Sequence, residues 1–375
     1  MSAQIYLDYN ASTPLDPVVA RTMQRVLDEG FGNPSSLHWA GLPARAIIDR
    51  GRQQVADLLG CSAAEIVFTS GGSEANNFAL KGAFFANRLS NPHIITTQVE
   101  HPAILAPCKF LERLGASITY LPVDGTGLID PDDLQRAITS DTVLVSVMHA
   151  NNEVGTIEPI AACARIAREH GVLFHTDAAQ SVGKLPTRID ELGVDLLSIA
   201  GHKFYAPKGV GALYLRQGVT LEPLIHGAGH ESGRRAGTES ALLIAALGEA
   251  AAEARDLSSV AHMQQLRDRL WAHVQQHFGD RVVLNGHPER RLPNTLNVSF
   301  VGRAGADVLG ALEGVAASTG SACHAGRVEL SPVLAAMGIP PEVGMGAVRF
   351  SLGRPTTATD IDALGEQLAA ASRLL

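Results

Sequence analysis

Short apolar runs alternate with segments of helical periodicity between about residues 65 and 215. The runs have strand length and occupy residues 66–69, 93–97, 117–121, 143–148, 172–176, 196–200 and 210–215. Intervening stretches such as 74–87, 102–114 and 160–170 carry apolar residues at helical spacing. Unbroken apolar strands that alternate with helices predict an α/β fold with a mostly parallel seven-stranded sheet covered by helices. The last two runs are separated only by "GHKFYAPKG", which is too short for a crossover helix, so we expect that pair to be antiparallel.

The pattern changes after about residue 258. A long helical segment at 260–278 precedes the strand-like "NTLNVSF", a short helix near 306–312, the strand-like "AVRFSL" and a last helix from 357. This order predicts a smaller α+β domain. We therefore expect a large domain at residues 14–257 and a small domain formed by 1–13 together with 258–375.

Composition narrows the function classes. The chain has 375 residues and a net charge of -8, and its basic residues are scattered, which argues against nucleic acid as a direct partner. No apolar run reaches membrane-spanning length, and "MSAQIYLDYNASTPLDP" lacks the features of a signal peptide, so we expect a cytoplasmic protein without membrane contact. The four cysteines include no C-x-x-C pair, so we expect neither a disulfide framework nor a metal site.

Polar residues follow the predicted strands where each strand ends. They are Gly72 and Ser73 in "SGGSEANN", His101, Asn152, Asp177 with Gln180, and His202 with Lys203. Each has an ordinary structural explanation when taken alone, such as a helix cap or a turn. Because ligands of such sheets bind beyond the carboxyl ends of the strands, we expect these side chains to share one crevice.

Lys203 directly follows an apolar strand, where an amine loses solvation. Desolvation lowers the pKa of an amine and makes it a nucleophile toward aldehydes. A helix start such as Gly72–Ser73 suits a phosphate, and an acid such as Asp177 suits a protonated ring nitrogen. Together these features match pyridoxal 5'-phosphate. A phosphate-binding sugar enzyme with a Schiff-base lysine is the competing interpretation, but it leaves Cys323 in "STGSACHAG", a predicted exposed loop, unexplained.

Ten segments carry a family resemblance, and they occur in the family's order over nearly the whole chain. They are "YLDYNASTPLDP", "FGNPSSLHWAG", "IVFTSGGSEANN", "VEHPAI", "ANNEVGTIEP", "HTDAAQSVGK", "GHKFYAPKGVGALY", "GRRAGTES", "STGSACHAG" and "VRFSLGRPTT". The chain resembles the cysteine desulfurases and the closely similar selenocysteine lyases of the class V aminotransferase group. The resemblance implies a fold type I pyridoxal-phosphate homodimer with active sites at the subunit boundary.

The resemblance also implies a role for each matched residue. Lys203 would bond to the cofactor aldehyde, Asp177 would keep the ring nitrogen protonated, and His101 would stack on the ring and move protons. By the same resemblance, Gly72, Ser73 and His202 would hold the phosphate, and Thr238 would reach the phosphate of the neighbouring subunit. Gln180 would form a hydrogen bond to the phenolic oxygen, and Asn152 would lie close to that oxygen and to the substrate carboxylate. Arg349 would bind the substrate carboxylate. Arg354 has a weaker claim on that carboxylate.

Cys323 resembles the residue that accepts sulfur. Its thiolate would attack the sulfur of L-cysteine, alanine would leave, and the persulfide would pass to an acceptor protein such as an iron–sulfur scaffold or a transfer-RNA thiolation protein. The small residues around Cys323 are compatible with movement of this segment. The neighbouring His324 and Arg327 are candidates for favouring the thiolate.

Two departures from the family pattern keep alternatives open. Ala200 stands where many desulfurases have a serine, a feature shared with selenocysteine lyases, and Ser232 stands where an arginine is common. The alternatives are a selenocysteine lyase, another class V enzyme such as an aminotransferase, and a non-catalytic scaffold that binds a sulfur carrier. An aminotransferase has no use for Cys323, and a scaffold has no need to keep Lys203, Asp177 and Arg349.

Overall fold

The computed structural model describes residues 4–319, 321–324 and 327–372, with backbone alone for 321–324 and 327–328. The strands in chain order are β1 (Ile5–Tyr6), β2 (Ile66–Thr69), β3 (His93–Thr97), β4 (Ser117–Leu121), β5 (Thr142–Ser146), β6 (Leu173–Asp177), β7 (Leu196–Ala200), β8 (Gly211–Leu215), β9 (Val282–Asn285), β10 (Thr295–Phe300), β11 (Val315–Ala316), β12 (Ser318–Thr319), β13 (Ser321–His324), β14 (Arg327–Leu330) and β15 (Ala347–Ser351). The helices are α1 (Pro17–Glu29), α2 (Gly41–Leu59), α3 (Gly72–Ala86), α4 (Pro102–Glu112), α5 (Pro131–Ala137), α6 (Ile160–Glu169), α7 (Ile189–Leu192), α8 (Ala241–Ala254), α9 (Ser258–Phe278), α10 (Gly305–Gly310), α11 (Pro332–Ala336), α12 (Pro341–Gly344) and α13 (Ala358–Ala371).

The large sheet has seven strands in the order β2-β8-β7-β6-β5-β3-β4. The five strands from β7 to β4 are mutually parallel, and β8 is antiparallel to both of its neighbours. The predicted mostly parallel seven-stranded sheet, with an antiparallel last pair, is therefore confirmed. Four of the seven strands have the predicted limits, and the ends of β5, β6 and β8 differ by one or two residues.

Side-chain alternation along the strands divides the large core into two layers. Ile94 on β3 packs in a layer with Phe78 of α3 and Ile104 of α4. Its neighbour Ile95 faces the opposite layer, which includes Ile48 of α2. Because successive strand residues point to opposite faces, a strand covered on both sides must be apolar throughout. This requirement explains the unbroken apolar runs in the sequence.

The second sheet has four antiparallel strands in the order β12-β15-β10-β9. Its core includes Phe350 of β15, Leu270 of α9 and Leu364 of α13. Ile5 and Leu7 belong to the same core, and β1 pairs in parallel with β11. The domain limits, with 1–13 and 258–375 in the small domain and 14–257 in the large one, stay a prediction.

The backbone around Cys323 differs from the predicted loop. Strands β13 and β14 form a two-stranded antiparallel ladder in which Cys323 pairs with Val328. The glycines and small residues of "STGSACHAG" favoured a loop in the prediction. The following sequence "RVEL", in which polar and apolar residues alternate, provides the partner strand. The Cys323 side chain and the side chains of His324 and Arg327 lie outside the described residues.

Within the described ranges, none of the helices combines the length and apolar character needed to cross a bilayer.

Phe174 offers a test of the buried layer that positions the site. It lies on β6, three residues before Asp177, and is only 1% exposed. Phe174→Ala removes a buried ring and leaves a cavity, so it should lower the free energy of unfolding by about 3–5 kcal/mol. Urea unfolding of the purified variant measures the change. Leu114→Ala, at a side chain 48% exposed, is the control and should change it by less than about 0.5 kcal/mol; equal losses would contradict the assignment of Phe174 to the core.

Candidate active site

A cavity of about 520 Å³ lies at the carboxyl edge of the large sheet. The predicted residues that line it are Gly72, Ser73, His101, Asn152, Asp177, Gln180, His202, Lys203 and Arg349. The walls come from strand ends, from the start of α3 and from the N-terminal segment. Strand-end residues that are more than a hundred positions apart in sequence thus meet in one place, as the parallel sheet requires.

Lys203 ends the short 3-10 turn that follows β7. Its Nζ donates to the main-chain oxygens of Asn10 at 2.7 Å and Ala11 at 2.9 Å, and it forms no ion pair within the described residues. Burial, with a further contribution from Arg349, lowers the pKa of Lys203 to about 8. A substantial fraction of the amine is therefore neutral near pH 8, as a nucleophile requires.

Asp177 closes β6 with its carboxylate almost fully buried. Its Oδ2 accepts from Asn76 Nδ2 at 2.6 Å, and its Oδ1 accepts from the Ala179 amide at 2.9 Å. These bonds fix the carboxylate at the cavity wall, where it suits a cationic ring nitrogen. Asn76 lies on α3 and was not singled out by the sequence interpretation.

Helix α3 begins at Gly72 without a side-chain cap. Its N-cap, Gly71, has φ 148°, a backbone conformation that favours glycine. A Cβ on Gly72 would lie 3.0 Å from the Ala200 Cβ, a contact tight enough that one of the two residues would have to shift. First-turn amides without a capping side chain form an anion site, which suits the cofactor phosphate.

Two histidines lie at the cavity. The His101 Nδ1 accepts from the Ala103 amide at 3.1 Å, so the neutral ring carries its proton on Nε2. Burial lowers the pKa of His101. Burial, followed by the charges of Lys203 and Lys208, lowers the pKa of His202 to about 4. We therefore expect His202 to be neutral at physiological pH and to act as a hydrogen-bond partner.

Arg349, on β15, is held by three neighbours. Its Nη1 donates to the Asn152 main-chain oxygen at 2.9 Å, and its Nη2 donates to Asp8 Oδ1 at 2.7 Å and Ser318 Oγ at 3.0 Å. The buried Nε has no partner in the structure as described. Nη1 has a second N–H without an acceptor among the described contacts, so the fixed guanidinium keeps a donor for a ligand carboxylate. Asp8 was missed because nothing in its sequence context points to residue 349.

Four other positions named in the sequence analysis do not line this cavity or have side chains outside the described residues. Thr238 does not line the main cavity of its own chain; it is exposed and borders a separate cavity of about 220 Å³. Arg354 donates to Asp16 at 2.8 Å and stacks over the Tyr205 ring at 3.9 Å, and it does not line the main cavity. The Cys323 side chain lies outside the described residues. Ser232 is exposed and lies apart from the site, beside Glu231.

Asn10 is the main residue that the sequence interpretation missed. Its main-chain oxygen accepts from Lys203 and, at 3.0 Å, from Gln180 Nε2. Its side chain donates to Thr295 Oγ1 at 2.8 Å and to the Asn152 main-chain oxygen at 3.2 Å. In the sequence, only the family resemblance of the segment "YLDYNASTPLDP" pointed to this region, and it did not indicate which residue reaches the cavity.

The described part of the chain contains no group of three or more side chains that could bind a metal ion.

Comparison of the chain with known proteins identifies its family. The model of the family described as aminotransferase class-V matches residues 5–364. The chain belongs to the class-V aminotransferase family. The fold and the family resemblance predicted from the sequence are thereby confirmed.

Relatives of known name match over nearly the full length. The chain is 50% identical to the cysteine desulfurase IscS of Dictyoglomus turgidum, covering 96% of this chain and 93% of the relative. It is 46% identical to the cysteine desulfurase IscS of Methanosarcina thermophila, covering 96% and 89%. Among solved structures, a NifS-like protein superposes with a TM-score of 0.93 at 37% identity over 100% of both chains. A structure of SspA in complex with cysteine has a TM-score of 0.85 at 36% identity, covering 95% of this chain and 100% of the other.

Lys203 should be the reactive amine of the cavity. When cofactor-free protein is treated with pyridoxal phosphate and then borohydride across a pH series, mass mapping should place the label on Lys203. Labelling should reach half its maximum near pH 8, because the neutral amine predominates above the pKa of about 8. Lys203→Ala is the matched control and should lose this label. A label found on Lys184 or Lys208 instead would refute the assignment.

Proposed function

We propose that this chain is a pyridoxal-phosphate-dependent cysteine desulfurase. It takes sulfur from L-cysteine, releases L-alanine and holds the sulfur as a persulfide on Cys323 for transfer to an acceptor protein. The observation that carries the proposal is the meeting of Lys203, Asp177 and the uncapped start of α3 in one cavity with Arg349. The relatives at 46–50% identity, which are named cysteine desulfurases, support the same activity.

The cavity residues fit the cofactor group by group. The α3 start at Gly72 and Ser73, with His202, suits the phosphate, and Asp177 suits the ring nitrogen. Lys203 suits the aldehyde, and His101 lies where a ring can stack. When bound, pyridoxal phosphate supplies an electron sink that weakens the bonds at the substrate α-carbon.

Arg349 and Asn152 would bind the substrate carboxylate. The contacts of Arg349 with Asp8 and Ser318 hold its guanidinium in place before substrate arrives. A donor group fixed in advance costs less ordering on binding than a free side chain. This anchor orients the substrate with its amino group toward Lys203.

Proton transfer falls to Lys203 and His101. An amine whose pKa is about 8 can take up and release protons near neutral pH, so Lys203 can move a proton at the substrate carbon. His101 is neutral with its proton on Nε2, and that proton can pass to a reacting group. Neither residue needs a large further pKa shift for this work.

Cys323 would accept the sulfur. Its thiolate attacks the substrate sulfur, so a sulfur–sulfur bond forms and the carbon–sulfur bond breaks. The electron pair of the broken bond stays with the carbon that becomes the alanine methyl group, and that carbon takes up a proton. An acceptor thiol then attacks the persulfide and regenerates Cys323.

The finer parts of the proposal concern partners. We propose a cytoplasmic homodimer in which Thr238 of the partner subunit completes the phosphate site, since Thr238 is exposed and away from the cavity of its own chain. The acceptor would be an iron–sulfur scaffold or a transfer-RNA thiolation protein. Selenocysteine lyase is the second candidate function, favoured by Ala200, which lines the cavity beside Gly72.

Cys323→Ala should separate cofactor binding from sulfur removal. The variant should keep the colour of the bound cofactor but lose nearly all alanine production from cysteine, because nothing takes up the sulfur. Some activity on selenocysteine should remain, because a selenol is a better leaving group than a thiol. Alanine release measured on both substrates tests this, with Cys61→Ala as the control that stays active. Full activity of Cys323→Ala on cysteine would refute the persulfide mechanism.

Mixed dimers test whether subunits share their sites. A Lys203→Ala subunit paired with a Thr238→Ala subunit should contain one site with both residues intact, and about half the native activity should return. Alanine production by the purified mixed dimer, compared with each variant homodimer, measures the recovery. If Thr238 serves its own subunit, both sites stay defective and no activity returns.

A further inference from the structure

Lys184 is a buried lysine that the reaction does not use. It follows β6 by seven residues and is only 7% exposed. Within the described residues, no carboxylate pairs with it. Its Nζ donates to the Gln180 main-chain oxygen at 3.0 Å and to Gln180 Oε1 at 3.2 Å. Burying an amine without an acidic partner is unfavourable, so the hydrogen bonds to Gln180 are the contacts that offset this cost.

The surroundings of Lys184 are cationic. Burial, followed by the charges of Lys203 and Arg349, lowers the pKa of Lys184 to about 7. Whether the amine is protonated or neutral, its Nζ has N–H groups that can donate to Gln180 Oε1. The hydrogen bond to Gln180 therefore does not depend on the charge.

The side-chain amide of Gln180 is held at both ends. Lys184 donates to Oε1, while Nε2 donates to the Asn10 main-chain oxygen at 3.0 Å. A carbonyl oxygen can only accept, so this pair of neighbours favours one orientation of the amide. Reversing the amide would place Oε1 against the Asn10 oxygen. Gln180 lines the cavity, and the second N–H of Nε2 has no acceptor among the described side chains and backbone.

We propose that Lys184 is a positioning residue that fixes the Gln180 amide so that Nε2 donates into the cavity, to the ring oxygen of the bound cofactor. The proposal rests on the proposed function for the identity of the cofactor. Without Lys184, Oε1 loses its donor and only the bond to Asn10 still orients the amide, so the reversed amide, which presents an oxygen to the ring oxygen, becomes more populated. The lysine thereby acts on the cofactor through another side chain, without contacting it.

This arrangement predicts a spectroscopic change in the holoenzyme. A donor to the ring oxygen stabilises that oxygen without its proton and lowers the pH midpoint at which the visible absorption changes. Lys184→Met keeps the volume and removes the donor, so the midpoint should rise by about half a pH unit to one unit, the size of one hydrogen bond. Gln180→Leu should raise it in the same direction.

A double variant separates positioning from direct charge effects. If Lys184 acts through Gln180, adding Lys184→Met to Gln180→Leu should produce no further rise. Removing a cation that acts through space would raise the midpoint in both backgrounds, and that result would overturn the proposal. Lys184→Gln keeps a donor without the charge, so its midpoint should stay near the native value.

The outcomes also separate this proposal from the proposed function. A native protein that binds no pyridoxal phosphate and shows no visible band would remove both. If the native holoenzyme shows the visible band and the pH midpoint of that band is the same in Lys184→Met, the role of Lys184 is overturned. The desulfurase proposal is then left intact.

Discussion

The contact between the Lys203 amine and the main-chain oxygens of Asn10 and Ala11 joins the two sheets at the active site. Residues 8–13 form the segment that makes this contact. Asp8 binds Arg349 of the small sheet, while Thr13 donates to the His202 main-chain oxygen beside Lys203. Because the segment bonds on both sides, Lys203 and Arg349 are held in one rigid arrangement. Catalysis needs this fixed geometry, since an error of about 1 Å in placement costs on the order of 100-fold in rate.

The charge pattern of the cavity follows from burial. Lys203, Lys184 and Arg349 bring three basic groups to one region, against the buried carboxylate of Asp177 and the half-buried carboxylate of Asp8. Burial and mutual repulsion lower the pKa of both lysines, and burial lowers the pKa of His101 and His202. With a pKa of about 8 for Lys203 and about 7 for Lys184, each amine is partly protonated and partly neutral near neutral pH. The protonated amines and Arg349 attract an anionic phosphate or carboxylate, and the neutral amines are the nucleophilic form.

The strand pair that carries Cys323 is flanked on both sides by residues that hydrogen bonds hold in place. Before it, Ser318 bonds to Asp8 and Arg349. After it, Ser331 donates to the carboxylate of Glu153, the neighbour of Asn152, and caps α11. These contacts tie Ser318 and Ser331, which flank the strand pair, to Arg349 and to the neighbour of Asn152.

The sequence alone determined the sheet and half of the site. Unbroken apolar runs identified the seven strands because both faces of the sheet are covered. The strand-end rule then brought Asp177, Gln180 and Lys203 together, since parallel strands end at a common edge. Tertiary structure decided the rest. Asp8, Asn10, Asn76 and Lys184 act through hydrogen bonds to distant or neighbouring groups, and no periodicity in the chain encodes those partners. The strand pairing of Cys323 depended on a register between two short segments, and the exposure of Thr238 depended on the packing around residues 237–240. Such contacts are properties of three-dimensional distance, which a linear pattern of apolar and polar residues does not contain.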